Sequence, residues 1–111
     1  ARRDFVDVRD AAAALLTLAT QAKPGRLYNV ASGESRSIRE GLDRLIALSG
    51  RAVVVAADPT AVRRGEVDDS RASVARIAAE TDWRPTTPFE RSLRDLWESA
   101  AADRAPLPLT A

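Results

Sequence analysis

The sequence predicts an α/β fold of short strands with about four helices. Three observations lead there. Apolar strand-like runs alternate with segments of helical periodicity, two Ser/Thr-x-x-Glu signals open helices, and glycine or proline punctuates the joins. The chain has 111 residues, 45% of them hydrophobic and 30% charged, with 17 basic against 16 acidic side chains. One domain, or part of one, fits that length. The apolar fraction and a net charge of +1 argue against disorder. The same balance argues against a nucleic-acid binder, which needs a basic face.

Phe5-Val6-Asp7-Val8 alternates apolar and acidic residues, the pattern of a half-buried strand. Asp10 is placed to cap an alanine-rich helix to Gln21, with Ala11, Leu15, Leu18 and Ala22 on one face. Lys23-Pro24-Gly25 stops it. Arg26 to Val30 reads as a second strand, ending in the loop Ala31-Ser32-Gly33-Glu34. Ser37-Ile38-Arg39-Glu40 is a capping box, and the helix behind it carries Ile38, Leu42, Leu45 and Ile46 before Gly50. Val53-Val54-Val55 reads as a third strand, buried on both faces of a parallel sheet. Asp58-Pro59 breaks it, and a charged loop follows through Asp69.

Ser70 or Ser73 starts a short helix with Val74, Ile77 and Ala78 inward, ending near Thr81. Trp83-Arg84-Pro85 is an extended connector. Thr87-Pro88-Phe89-Glu90 is a second capping box with proline at the first helical position, and Phe89, Leu93, Leu96, Trp97 and Ala100 make its helix amphipathic. From Arg104 the chain is proline-interrupted and aperiodic, so the functional region is 1–103 and 104–111 a flexible tail. Three short strands make a thin sheet, and four apolar helix faces exceed what it can cover. The chain calls for a partner surface, either an N-terminal domain or a second copy of itself.

Cysteine and histidine are both absent, which removes thiolate zinc sites, disulfides, cysteine nucleophiles and the usual general base. No apolar run approaches the roughly 20 residues of a membrane span, and no signal peptide opens the chain, so a cytoplasmic setting without membrane contact is expected. No methionine is present, and Ala1-Arg2-Arg3-Asp4 reads as the middle of a longer protein.

Three features are candidates for function. Arg3 sits at the entry to the first strand, where a guanidinium offers a bidentate grip on phosphate; the alternative is a surface arginine paired with Asp4 or Asp7. In Arg63-Arg64-Gly65-Glu66, arginine beside glycine suits a diphosphate and the carboxylate suits a ribose diol. The alternative there is a solvated charged loop. Ala31-Ser32-Gly33 follows a strand, where open α/β sheets bind ligands, although small residues are also ordinary turn chemistry. Asp4, Asp7 and Asp10 lack metal-ligand spacing, and Asp68-Asp69 reads as a charge pair at a helix start. Trp83 and Trp97 read as packing residues, and Tyr28 has no lysine four positions on. With no glycine-rich phosphate loop, nothing in the chain performs acid/base or hydride chemistry by itself.

Several segments together resemble the C-terminal third of extended short-chain dehydrogenases, the NAD-dependent epimerase/dehydratase family. They are Arg3-Asp4-Phe5-Val6-Asp7-Val8-Arg9-Asp10, Tyr28-Asn29-Val30-Ala31-Ser32-Gly33, Ser37-Ile38-Arg39-Glu40, Asp58-Pro59 with Arg63 and Glu66-Val67, and Trp83-Arg84-Pro85 ahead of Phe89-Glu90 and Leu93. The similar branch is that of GDP-mannose 4,6-dehydratases and GDP-4-keto-6-deoxymannose reductases. The resemblance implies the C-terminal fragment of an extended Rossmann-type dehydrogenase that binds a nucleotide-diphosphate sugar, GDP-sugars favoured. It implies that Arg3 and Arg63 reach the diphosphate and that Glu66 holds the ribose. Arg64 stands where the family has proline, and Asp68-Asp69-Ser70-Arg71 is charged where the family is apolar, so Arg64 is a further candidate for the phosphate. The glycine loop and Tyr-x-x-x-Lys pair would lie upstream, with NAD or NADP bound by the parent and no cofactor in this piece. The alternative function is a non-catalytic interaction or dimerisation module.

Overall fold

The structure, a computed structural model, describes residues 1–61 and 68–103. Its elements run β1 (Arg2–Asp4), α1 (Val8–Gln21), β2 (Ser35–Ser37), α2 (Ile38–Ser49), a 3₁₀ turn (Pro59–Ala61), α3 (Ala75–Glu80) and α4 (Phe89–Ala102). Four helices and a two-stranded sheet form the architecture, and the strands differ in place from those expected. β1 pairs antiparallel with β2, in the register Arg2↔Ser37, Arg3↔Arg36 and Asp4↔Ser35.

The stretch Phe5–Val8 is a bend into α1, not a strand, because Asp7 caps the helix earlier than Asp10 would. The Asp7 Oδ1 accepts from the Arg9 backbone N–H at 2.8 Å, and helical geometry begins at Val8. Arg26–Val30 and Val53–Val55 belong to no ladder either. Their side chains are strand-like, but a strand exists only with a neighbour to share its backbone hydrogen bonds. The described residues supply none, and Val54 is 92% exposed. The parallel pairing expected of a βαβ order is reduced to one bridge, Arg2↔Asp69.

Helix α1 buries a different face from the one expected. Asp10 and Ala14 point inward with Leu18 packed beside them, while Leu15 is exposed. The core they meet is Ile77 of α3 and Trp83 of the connector, with Tyr28, Val30 and Val74 around it. An alanine at position 14 leaves room for an indole, and the Trp83 Nε1 donates to the Asp10 carbonyl oxygen at 2.9 Å.

The Asp10 side chain is itself buried and collects four donors. Its Oδ2 accepts from the backbone N–H groups of Thr86 and Thr87 at 3.1 and 2.9 Å. Its Oδ1 accepts from the two threonine hydroxyls at 3.1 and 3.2 Å. Thr87 is therefore not the cap of α4; that position falls to Pro88, with no side-chain hydrogen bond. Burial pushes the Asp10 carboxyl up, and the hydrogen bonds from Thr87 and Thr86 together outweigh it, leaving the pKa below its ordinary value. Asp7 is held lower still, first by Arg9 and then by the Ser92 hydroxyl of α4.

Around this centre the other signals behave as read. The Ser37 Oγ accepts from the Glu40 N–H at 3.0 Å, closing the cap of α2, and Gly50 ends that helix at φ 65°. Helices α2 and α4 pack closely at Gly41, where a Cβ would meet the Phe89 ring at 3.3 Å. At the far end of α1, Gln21 and Asp82 exchange two hydrogen bonds, at 2.9 and 3.2 Å. Glu80 of α3 takes an ion pair from Arg26 at 2.8 Å.

Replacing Asp10 with alanine leaves buried N–H groups without acceptors, so Asp10→Ala is expected to destabilise the fold by about 2–3 kcal/mol in urea unfolding. Depressed carboxyl pKa values contribute stability that is present above the unfolded value and lost as pH falls. The urea midpoint is therefore expected to hold at neutral pH and to drop from about pH 5 downward, where unfolded aspartates begin to bind protons. A midpoint that stays flat down to acid pH would contradict the roles given to Asp7 and Asp10.

Candidate functional site around strand β1

Strand β1 is short, yet three segments meet on it. One edge is β2; on the other the stretch 68–70 runs alongside. The Arg2 N–H donates to the Asp68 carbonyl at 2.6 Å, and the Ser70 N–H donates to the Arg2 carbonyl at 3.0 Å. Asp69 also accepts from the Ser35 hydroxyl of β2. Asp68 and Asp69 thus serve a strand edge and not a helix start, since α3 begins at Ala75. Arg3, Arg63, Arg64 and Glu66 are the sequence candidates. Arg3 lies in the middle of β1, half-buried, and its Nη1 donates to the Arg2 carbonyl at 2.7 Å. Arg63, Arg64 and Glu66 lie outside the described residues. What the structure brings to Arg3 is the chain immediately following them.

Side chains alternate across a strand, so Arg3 and Asp4 serve opposite faces. On the Arg3 face the register sets Arg36 directly opposite, a pairing of like charges that is unfavourable unless answered. It is answered on the Arg36 side. Glu34 lies at 3.1 Å, Glu40 at 3.5 Å and Glu90 at 3.9 Å, and the guanidinium stacks over the Phe89 ring at 4.9 Å from its centroid. Phe5 leans on the same ring, centroids 5.4 Å apart. A shallow cavity of about 210 Å³ opens here, lined by Phe5, Arg36, Thr87 and Phe89 among others.

On the other face Asp4 organises a loop. Its Oδ1 accepts from the Ser32 N–H at 2.8 Å and the Ser32 hydroxyl at 2.6 Å. Its Oδ2 accepts from the Gly33 N–H at 2.9 Å, with the Ala72 N–H at 3.5 Å. Successive N–H groups around a concavity form an anion nest, and here the anion is the protein's own carboxylate. Ala31-Ser32-Gly33 does therefore resemble a phosphate loop in geometry, but its donors are committed to Asp4. Asp4 is thus engaged by this loop, and Asp7 by Arg9, whose Nε lies 2.8 Å from Oδ1.

Two contributors were not singled out from the sequence, Asp4 and Arg36. Asp4 had one available signal, a carboxylate beside a Ser-Gly turn across a strand pair. Arg36 had none, because its position opposite Arg3 exists only in the antiparallel register. Tyr28 is also placed by the structure: its hydroxyl accepts from the Lys23 N–H at 2.8 Å. Among the described residues no group of acidic side chains is arranged to hold a metal ion, and no helix is long and apolar enough to cross a membrane.

This architecture matches about a third of extended Rossmann-type dehydratases and epimerases. The chain belongs to the GDP-mannose 4,6 dehydratase family, whose sequence profile matches residues 1–96. GDP-6-deoxy-D-mannose reductase of Pseudomonas aeruginosa is 37% identical over 100 residues, covering 87% of this chain and 33% of that protein. The solved structure of RMD from Pseudomonas aeruginosa complexed with NADPH matches with a TM-score of 0.79 at 35% identity, over 89% of this chain and 33% of that one. A solved structure from Burkholderia cenocepacia matches with a TM-score of 0.84 at 35% identity, over 91% and 33%. The chain thus spans about a third of the length of these relatives.

The nest makes its own prediction. Gly33 sits at φ +80°, and a Cβ there would meet Val74 Cγ2 at 3.1 Å. Gly33→Ala is expected to cost more than the about 1–2 kcal/mol of the left-handed backbone in thermal or urea unfolding, because the Val74 contact adds to it. Gly25, also at positive φ (76°) but with open space around it, isolates the backbone cost, so Gly25→Ala should cost less than Gly33→Ala.

Proposed function

We propose that this chain is the nucleotide-sugar binding portion of an NAD(P)-dependent sugar dehydratase, epimerase or reductase, with GDP-sugars favoured. Arg3 grips the diphosphate together with Arg63 or Arg64, and Glu66 holds the ribose. The region 1–103 carries this role. The observation that supports it most is the pairing of residues 68–70, which follow Arg63–Glu66 closely in sequence, with the strand bearing Arg3. Two permanently charged forks and one carboxylate suit a diphosphate joined to a ribose. In this reading the cofactor and the tyrosine chemistry belong to the portion of the parent outside this chain, in line with relatives three times as long, one of them complexed with NADPH.

A separate observation favours an interaction role beside it. Val8, Leu15 and Leu16 project from the outer face of α1, and Val8 is 78% exposed. A helix apolar on both faces belongs in an interior. The occupant we propose for this face is the remaining two thirds of the parent enzyme; a second copy of the chain is the competing occupant, and a concentration-independent monomer in sedimentation would exclude it.

Titrating the chain with GDP, UDP and their sugars tests the binding role. Saturable binding of GDP or a GDP-sugar is expected. Arg3→Ala is expected to weaken it by at least about tenfold, the loss of one charge-assisted contact. The absence of saturable binding at millimolar nucleotide, with a stable folded dimer in its place, would favour the interaction module instead.

A further inference from the structure

We draw no further inference here: the strongest candidate, the extended segment 52–57 between α2 and the 3₁₀ turn, where Val54 is 92% exposed, carries nothing because nothing in the structure shows what covers it.

Discussion

A carboxylate removed from water needs as many hydrogen bonds as it gave up, and it draws the chain around itself to obtain them. Asp10 does this in the first turn of α1. Its four donors come from two consecutive threonines 76 and 77 positions away, and its backbone carbonyl receives the Trp83 indole. The connector 83–88 is thereby pinned along the base of α1. That placement seats Trp83 over Ala14 and Ile77, the centre of the core, and delivers Phe89 to the start of α4. Phe89 then packs against Gly41 of α2 and carries Arg36 on its ring face. The position of α2, and with it β2, follows from where Asp10 holds the threonines.

Asp4 is the counterpart for loops. Where Asp10 joins α1 to the connector before α4, Asp4 joins β1 to the loop 31–34 and reaches Ala72. The two aspartates share one device, a carboxylate bridging distant backbone N–H groups, used once in the core and once behind the candidate site. An anion nest is often read as an invitation to phosphate. Here the protein fills the nest itself, with the Asp4 carboxylate. In the binding role proposed above, the ligand-facing charge comes from the opposite face of β1, where Arg3 stands.

Local signals were legible wherever the chain decides structure by itself. The Ser37–Glu40 cap, the left-handed Gly50, Ile77 and Trp83 as core and the presence of four helices follow from neighbours a few residues apart. What escaped was set by partners far along the sequence. Thr87 looked like a cap because the residue competing for it, Asp10, lies 77 positions away. Asp7 and not Asp10 opens α1, since both satisfy the capping pattern and only burial separates them. Val53-Val54-Val55 and Arg26–Val30 have strand side chains without strand partners, and composition carries no record of a missing neighbour. The site divides in the same way. Arg3 was readable from a motif, whereas Asp4 and Arg36 depend on an antiparallel register that three-residue strands do not announce.

The thin core has a consequence for the site. Fully burying one large aliphatic side chain contributes about 1.5–3 kcal/mol, and a whole domain retains only about 5–15 kcal/mol of net stability. Val8, Leu15 and Leu16, left outward on α1, therefore represent a contribution comparable to the entire stability of a chain this size. A surface that covers them would act directly on the arginine-bearing strand, because only Phe5, Val6 and Asp7 separate Asp4 of β1 from the first residue of α1. Asp7 caps α1 and also receives the Ser92 hydroxyl of α4 at 2.6 Å, so this short bridge is braced at its helical end.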